Sequence, residues 1–331
     1  MAISGAVQGV RFAGIACAVP ERVVLNDGFA AIFGVEQIGK FEKMVGVRER
    51  RMTAGDESTS TLAITAARKL KDAGKFSADD IDAIMFVSQT PDFKLPATAC
   101  KVQSSLGIKT ECVAYDMNLG CSGFVYGVFA AASMLQMEGV NKLLLCGGDT
   151  ISRLTAEDDP SSAPLFGDAG FAAVLERDVE APEIRYAFKT DGAGMGAIMC
   201  KEGGHLSMDG MDVFNFTINE VPDLIKSEMA AAKLTAESVD YLVLHQANKF
   251  VLKQVAMMTG FPMQKVPVSM DRFGNTSSAS IPLTLCDLAS RDQGLKKIVM
   301  SGFGVGLSWG TLIMDFDLSA CEADIISVRG R

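Results

Sequence analysis

The chain has 331 residues, 48% of them apolar and 21% charged, enough to bury a large core in about two packed units. Its formal net charge of −9 argues against nonspecific nucleic-acid binding, whose affinity comes mainly from neutralising phosphates. The longest apolar stretch, Phe124 to Met137, is broken by Tyr126, Gly127, Ser133 and Gln136, short of the roughly 18 unbroken residues a membrane span needs.

The elements alternate along the chain. Val10 to Ala18 reads as a strand. Ser58 to Ala73 reads as a helix stopped by Gly74. Ile81 to Ser88 is a strongly apolar strand, Ala97 to Leu106 a short helix and Cys112 to Met117 a strand. Ser122 to Glu138 is apolar on nearly every side, the pattern of a buried helix. Lys142 to Cys146 and Gly170 to Leu175 are strands.

The order then recurs. Glu183 to Lys189, Val239 to Leu244 and Val266 to Ser269 read as strands. Val221 to Lys233, Lys249 to Thr259 and Ser278 to Ser290 read as helices. Lys297 to Ser301 and Ser308 to Asp315 close the chain as a strand pair. Strands separated by helices predict an α/β fold with parallel sheets covered by helices. The recurrence predicts two similar halves, 1–178 and 179–331.

The N-terminus lacks the basic start and long apolar run of a signal peptide, so the expected location is cytoplasmic. The eight cysteines include no CxxC pair and there are only two histidines, His205 and His245, so no metal site is expected. Most of the thiols should be reduced, buried and inert. Cys121 stands apart. It follows a strand, opens a buried helix, and has Gly120, Ser122 and Gly123 around it. The positive end of the helix dipole there should favour thiolate.

His245 ends an apolar strand in VDYLVLHQANKF, where α/β proteins place ligands. A satisfied core histidine would look the same. His205, among glycines in KEGGHLSMDG, reads as a solvated loop residue. Asn275, in DRFGNTSSASIP, sits in a loop feeding a helix, where asparagine also serves as a plain cap. The glycine-rich SGFGVGLSWG (301–310) lacks the lysine of a phosphate-binding loop. Its glycines should instead permit close approach of backbone to a ligand or another strand.

Taken together, five blocks resemble the ketoacyl-acyl-carrier-protein synthase III family of the thiolase superfamily. They are GCSGFVYG, LFGDAGFAAVL (165–175), HQAN (245–248), GNTSSASIP (274–282) and GFGVGLSWG (302–310). The similarity runs from about residue 10 to 317. It implies a thiolase-like fold of two βαβαβ-type halves, with the nucleophile in the first and the histidine and asparagine in the second. By motif, Cys121 matches the nucleophile, and His245 and Asn275 match its partners.

The resemblance also implies an oxyanion hole from the backbone N–H groups of Cys121 and Val305. The implied reaction is acyl transfer to Cys121, then decarboxylative condensation with a malonyl thioester, malonyl on an acyl carrier protein being the expected form. No metal or redox cofactor is required. The implied pathway is fatty-acid or related lipid or secondary-metabolite biosynthesis, and the implied assembly is a homodimer. Leu95 matches a loop position that gates the acyl pocket of the partner copy. Arg153, Lys249 and Lys253 are candidate contacts for an acidic carrier protein.

The family's usual tryptophan and arginine for the adenine of coenzyme A fall near Lys40 and Met44 here, with Phe41 and Arg48 as substitutes. A carrier-bound primer is the alternative to coenzyme A. Three other readings stand beside condensation. One is acyl transfer to an alcohol or amine with His245 as base. The others are a noncatalytic subunit and a cysteine hydrolase.

Overall fold

The computed structural model describes residues 2–330. Two mixed sheets form its frame. The six-stranded sheet runs, from edge to edge, Ile326–Val328, Val10–Pro20, Ala169–Arg177, Lys142–Asp149, Ala83–Val87 and Val113–Met117. The five-stranded sheet runs Ile3–Val7, Ile184–Thr190, Ser308–Asp317, Leu295–Gly304 and Tyr241–Leu244. The terminal strands cross over: Ile3–Val7 lies in the five-stranded sheet, and Ile326–Val328 in the six-stranded one.

The expectation of parallel sheets needs correcting. Ala83–Val87 is parallel to both its neighbours, and Tyr241–Leu244 is parallel to Leu295–Gly304. Lys142–Asp149 and Ala169–Arg177 pair antiparallel, as do Leu295–Gly304 and Ser308–Asp317. The physical reason is the connection. Parallel neighbours need a crossover, usually a helix. Between Gly304 and Ser308 only three residues intervene, and 150–168 holds a single short 3-10 turn.

Three apolar clusters stack the molecule into layers. The central one joins the inner faces of both sheets, through Met85, Leu143 and Phe171 on one side and Ile298, Met300 and Leu312 on the other. Between them lie the helices Gly123–Met134 and Ser280–Ala289, contributing Val125, Val128, Leu283 and Leu285. This placement explains why Gly123–Met134 is apolar on most sides: it faces a sheet above and a sheet below. The helices Thr59–Asp72 and Thr98–Leu106 cover the outside of the six-stranded sheet. Gly210–Ala231 and Lys249–Thr259 cover the five-stranded one.

Several sequence boundaries shift. The helix expected from Val221 begins at Gly210, capped by the Asp209 side chain on Met211 and Asp212 N–H, and runs through Pro222. Helices Asn26–Phe33 and Val35–Val45 were not expected, because glycines 28, 34 and 39 interrupt their pattern and neither has a side-chain cap. The strand expected at Val266 to Ser269 is an irregular link containing Pro267, which has no N–H for a ladder.

Candidate active site

The two central helices point their N-termini at one place. Cys121 lies two residues before Gly123–Met134, in a tight turn closed by the Gly123 N–H on the Gly120 carbonyl. Asn275 and Ser277 lie just before Ser280–Ala289. Between these termini come His245, directly after the strand Tyr241–Leu244, and Val305, directly after Leu295–Gly304. Cys121, His245, Asn275 and Val305 all line one cavity of about 400 Å³.

The glycine-rich segment presses directly on the cysteine. A Cβ on Gly304 would sit 2.6 Å from Cys121 Cβ and 3.0 Å from its sulfur. A Cβ on Gly302 would meet Ser122 Cα at 3.0 Å and the Cys121 carbonyl at 3.1 Å. Any side chain there would force the strand away from Cys121. The close approach expected for these glycines is therefore to Cys121 itself. It brings the Val305 backbone N–H onto the Cys121 sulfur, beside the N–H of Cys121.

Cys121 is buried, and burial pushes its thiol up to about 11, with the Asp149 charge adding to the rise. The Ser277 hydroxyl and the two backbone N–H groups oppose it without prevailing. The expectation of a resting thiolate is thus overturned. The dipole argument weighed one favourable term, but the desolvation of a charge between two sheets is larger.

Asp149 ends the strand Lys142–Asp149 and is fully buried. One carboxylate oxygen accepts from the Gln89 N–H at 2.8 Å and from the hydroxyls of Ser88 and Thr90, each at 3.1 Å. The other accepts from the Ser278 N–H at 3.2 Å and the Ser278 hydroxyl at 2.7 Å. Burial raises its pKa while these donors, and the Ser277 hydroxyl, lower it.

His245 is buried, and desolvation pushes its pKa down to about 3, so its imidazole is neutral. Its Nδ1 lies 2.8 Å from Ser280 Oγ, and its ring packs edge-on against Phe303 at 5.5 Å between centroids. Asn275 is fixed from three sides. Its N–H donates to the Leu165 carbonyl at 2.9 Å, and its carbonyl accepts the Gly167 N–H at 3.1 Å. Its Oδ1 accepts the Ser277 N–H at 2.9 Å. An N–H can bond only the oxygen of an amide, so the NH2 end of Asn275 is the end left for the cavity.

Other expected residues lie apart. Leu95 is 83% exposed and does not line this chain's cavity. Lys249 and Lys253 are exposed on one face of Lys249–Thr259, four residues apart. Arg153 is exposed, but its guanidinium is tied to Thr53 Oγ1 at 3.1 Å and to the Glu57 carbonyl. Its neighbours Ile151 and Leu154, like Asn248 and Val251 beside Lys249, line the cavity, so both basic residues flank it. His205 is exposed, as expected.

Lys40 pairs with Glu36, Met44 is exposed, and Phe41 packs into the outer core. Arg48 is held by Asp271 at 2.8 Å. No aromatic–cation clamp forms among these four. Ser277, Ser280 and Asp149 were not singled out in the sequence. Ser277 and Ser280 fall inside the GNTSSASIP block, where letters alone do not say which hydroxyl faces inward.

Comparison with known proteins agrees with this geometry. Residues 115–192 match the family described as 3-oxoacyl-[acyl-carrier-protein (ACP)] synthase III, and residues 229–316 match its C-terminal part. The chain is 36% identical to the beta-ketoacyl-[acyl-carrier-protein] synthase III of Erythrobacter litoralis (strain HTCC2594), over 92% of this chain and 98% of that one. It is 35% identical to the enzyme of the same name from Streptococcus gordonii, over 89% and 95%. The crystal structure of 3-oxoacyl-(acyl-carrier protein) synthase from Burkholderia xenovorans LB400 superposes with a TM-score of 0.92 at 34% identity, covering 99% of both chains. The chain, which gathers a cysteine, a buried histidine and an oriented amide around one cavity, belongs over nearly its whole length to the 3-oxoacyl-[acyl-carrier-protein] synthase III family of acyltransferases.

Proposed function

We propose that the protein loads an acyl group on Cys121 and condenses it with a malonyl thioester carried on an acyl carrier protein. In loading, the Cys121 sulfur attacks the thioester carbon, the bond to the donor's sulfur breaks, and the thiol proton leaves with the departing thiol. A proton handed on in this way removes the need for a resting thiolate, which suits a thiol raised to about 11. The oxyanion is taken by the N–H groups of Cys121 and Val305. Each such donor contributes on the order of 3 kcal/mol to the transition state.

In condensation the malonyl carboxylate leaves as carbon dioxide, and its electron pair becomes an enolate. His245 and the NH2 of Asn275 donate to the enolate oxygen. The enolate carbon attacks the acyl group, the bond to Cys121 breaks, and the departing thiolate takes a proton from water. The observation that carries this assignment is the burial of His245 beside Cys121 and Asn275 in one cavity, which lowers its pKa to about 3, with its Nδ1 already partnered. Such a group is a hydrogen-bond donor and a poor base at neutral pH. It therefore weighs against the reading in which His245 deprotonates an alcohol or amine.

Lys249 and Lys253 would supply movable positive charge to an acidic carrier, and Arg153 a fixed one. Val113–Met117, an edge strand of the six-stranded sheet, offers an unpaired ladder to a second copy. In such a homodimer, as the resemblance implies, the exposed Leu95 of each copy would gate the other's acyl pocket. The reducing cytoplasm is the fitting compartment for an active-site thiol.

The test is direct. Incubation with acyl thioesters should add the acyl mass to Cys121, and later addition of malonyl-carrier should release carbon dioxide and clear the adduct. An adduct that an alcohol or amine clears without release of carbon dioxide would instead favour simple acyl transfer.

A further inference from the structure

Two side chains on the Cys121 side of the cavity have no role in the steps above. Gln89 and Asn118 both line it. The backbone N–H of Gln89 bonds Asp149, but its carboxamide makes no hydrogen bond among the described residues, and neither does that of Asn118. Two other polar cavity residues are engaged at least in part. Asn248 caps its helix through the Val251 N–H at 2.8 Å, and Thr217 bonds the Val213 carbonyl at 2.8 Å.

The Gln89 amide lies against the residue before the nucleophile. A Cβ on Gly120 would fall 2.2 Å from Gln89 Oε1 and 3.0 Å from Gln89 Cδ. Gly120 is thus what leaves room for a long polar side chain at Cys121. The rest of the lining is strongly apolar, with Ile151, Leu165, Met199, Leu206, Met208 and Val213 among it. A plain hydrocarbon chain would be served by that wall alone. It would also dehydrate the half-buried Gln89 amide without replacing its water, which is unfavourable; Asn118 is exposed at the rim.

We infer that Gln89, aided by Asn118, is a specificity-determining residue for an acyl group bearing a hydroxyl or carbonyl oxygen near its thioester end. A carboxamide both donates and accepts, so it satisfies a hydroxyl in either direction and a carbonyl through its NH2. A site built to bond such an oxygen rejects the analogue lacking it more strongly than an apolar pocket rejects an added oxygen. The inference rests on the loading of Cys121 proposed above and names the class of primer loaded.

The experiment compares 3-hydroxybutyryl and butyryl N-acetylcysteamine thioesters, following the acyl adduct on Cys121 by mass spectrometry. Unmodified enzyme should load the hydroxylated group about tenfold faster or more. Gln89→Leu should bring the ratio of the two rates to near one, and Asn118→Ala should lower it partway. Because the readout is a ratio within one preparation, loss of folded protein cancels. Equal loading of both thioesters by unmodified enzyme, or a ratio that survives Gln89→Leu, overturns the inference while leaving Cys121 loading intact. No adduct with either thioester would overturn the loading reaction itself.

Discussion

The Nδ1 of His245 lies 2.8 Å from the hydroxyl of Ser280, the first residue of the central helix Ser280–Ala289. That contact decides what the histidine can do. With Ser280 Oγ as the donor to Nδ1, the ring proton sits on Nε2, while the Ser277 backbone also hydrogen-bonds the ring and opposes the lowering of its pKa. Burial keeps the ring neutral, so it offers one N–H and takes no second proton.

Ser280→Ala should therefore slow decarboxylation more than loading. Without the hydroxyl, the ring proton is free to sit on Nδ1, where it does nothing for the enolate. Carbon dioxide release from a malonyl thioester should fall about tenfold, the worth of one net hydrogen bond. Acylation of Cys121, followed by mass, should fall much less. Equal losses in the two assays would show that Ser280 merely supports the fold.

The pH dependence follows from the two shifts together. The Cys121 thiol rises from its ordinary 9.0 to about 11, so below both values its thiolate fraction is about 100-fold smaller than that of an ordinary cysteine. Alkylation by iodoacetamide should be correspondingly slow at pH 8 and rise about tenfold per pH unit up to roughly pH 11. Carbon dioxide release should show no acid limb near 6.5, because His245 stays neutral down to about 3. Ser277 is one of the groups holding the thiol down, and it has a positive φ of 50°. Ser277→Gly suits that backbone and removes the hydroxyl, so alkylation at fixed pH should slow further, by about threefold to tenfold. Faster alkylation in that variant would contradict the role given to Ser277.

Legibility in the sequence divides along a physical line. The meeting of Cys121, His245 and Asn275 at one cavity was legible because each stands at the end of a patterned element, with small or polar neighbours that a core does not need. Ser277 and Ser280 could not be separated from Ser278, since all three share one short stretch and only the helix start decides which way each points. The protonation of Cys121 was misjudged for a related reason. A helix dipole is local and readable, whereas desolvation depends on the sheets that close over the residue. The mixed sheets were missed because residues 150–168 connect antiparallel strands without a recognisable hairpin turn.

Arg50 is fully buried and bonds no carboxylate among the described residues, so its loss should be costly. Its guanidinium donates to the Val24 carbonyl at 3.1 Å, Asn26 Oδ1 at 2.7 Å and the Pro164 carbonyl at 2.5 Å, and lies 4.9 Å from the Phe29 ring centre. Pro164 immediately precedes Leu165, whose carbonyl holds the Asn275 N–H. Arg50→Met keeps the volume but strands these acceptors, each worth about 1–3 kcal/mol when left dry. A fall in thermal stability of several degrees should accompany weaker carbon dioxide release. An unchanged melting temperature would remove Arg50 from the scaffold of the site.

Asp149→Asn tests the join between the two halves of the site. Both carboxylate oxygens of Asp149 receive a backbone N–H, from Gln89 on the first sheet's loop and from Ser278 at the entry to the second central helix. The hydroxyls of Ser88, Thr90 and Ser278 can rotate to meet an NH2, but a backbone N–H cannot. An asparagine can therefore satisfy only one of the two, leaving the other N–H buried against a donor at a cost of about 1–3 kcal/mol. The same substitution removes the negative charge that helps raise the Cys121 thiol. The expected signature is a divided one: a lower melting temperature together with faster alkylation of Cys121 at pH 8. Slower alkylation in a folded variant would instead mean that Asp149, through the Ser277 hydroxyl, helps draw the proton from the sulfur.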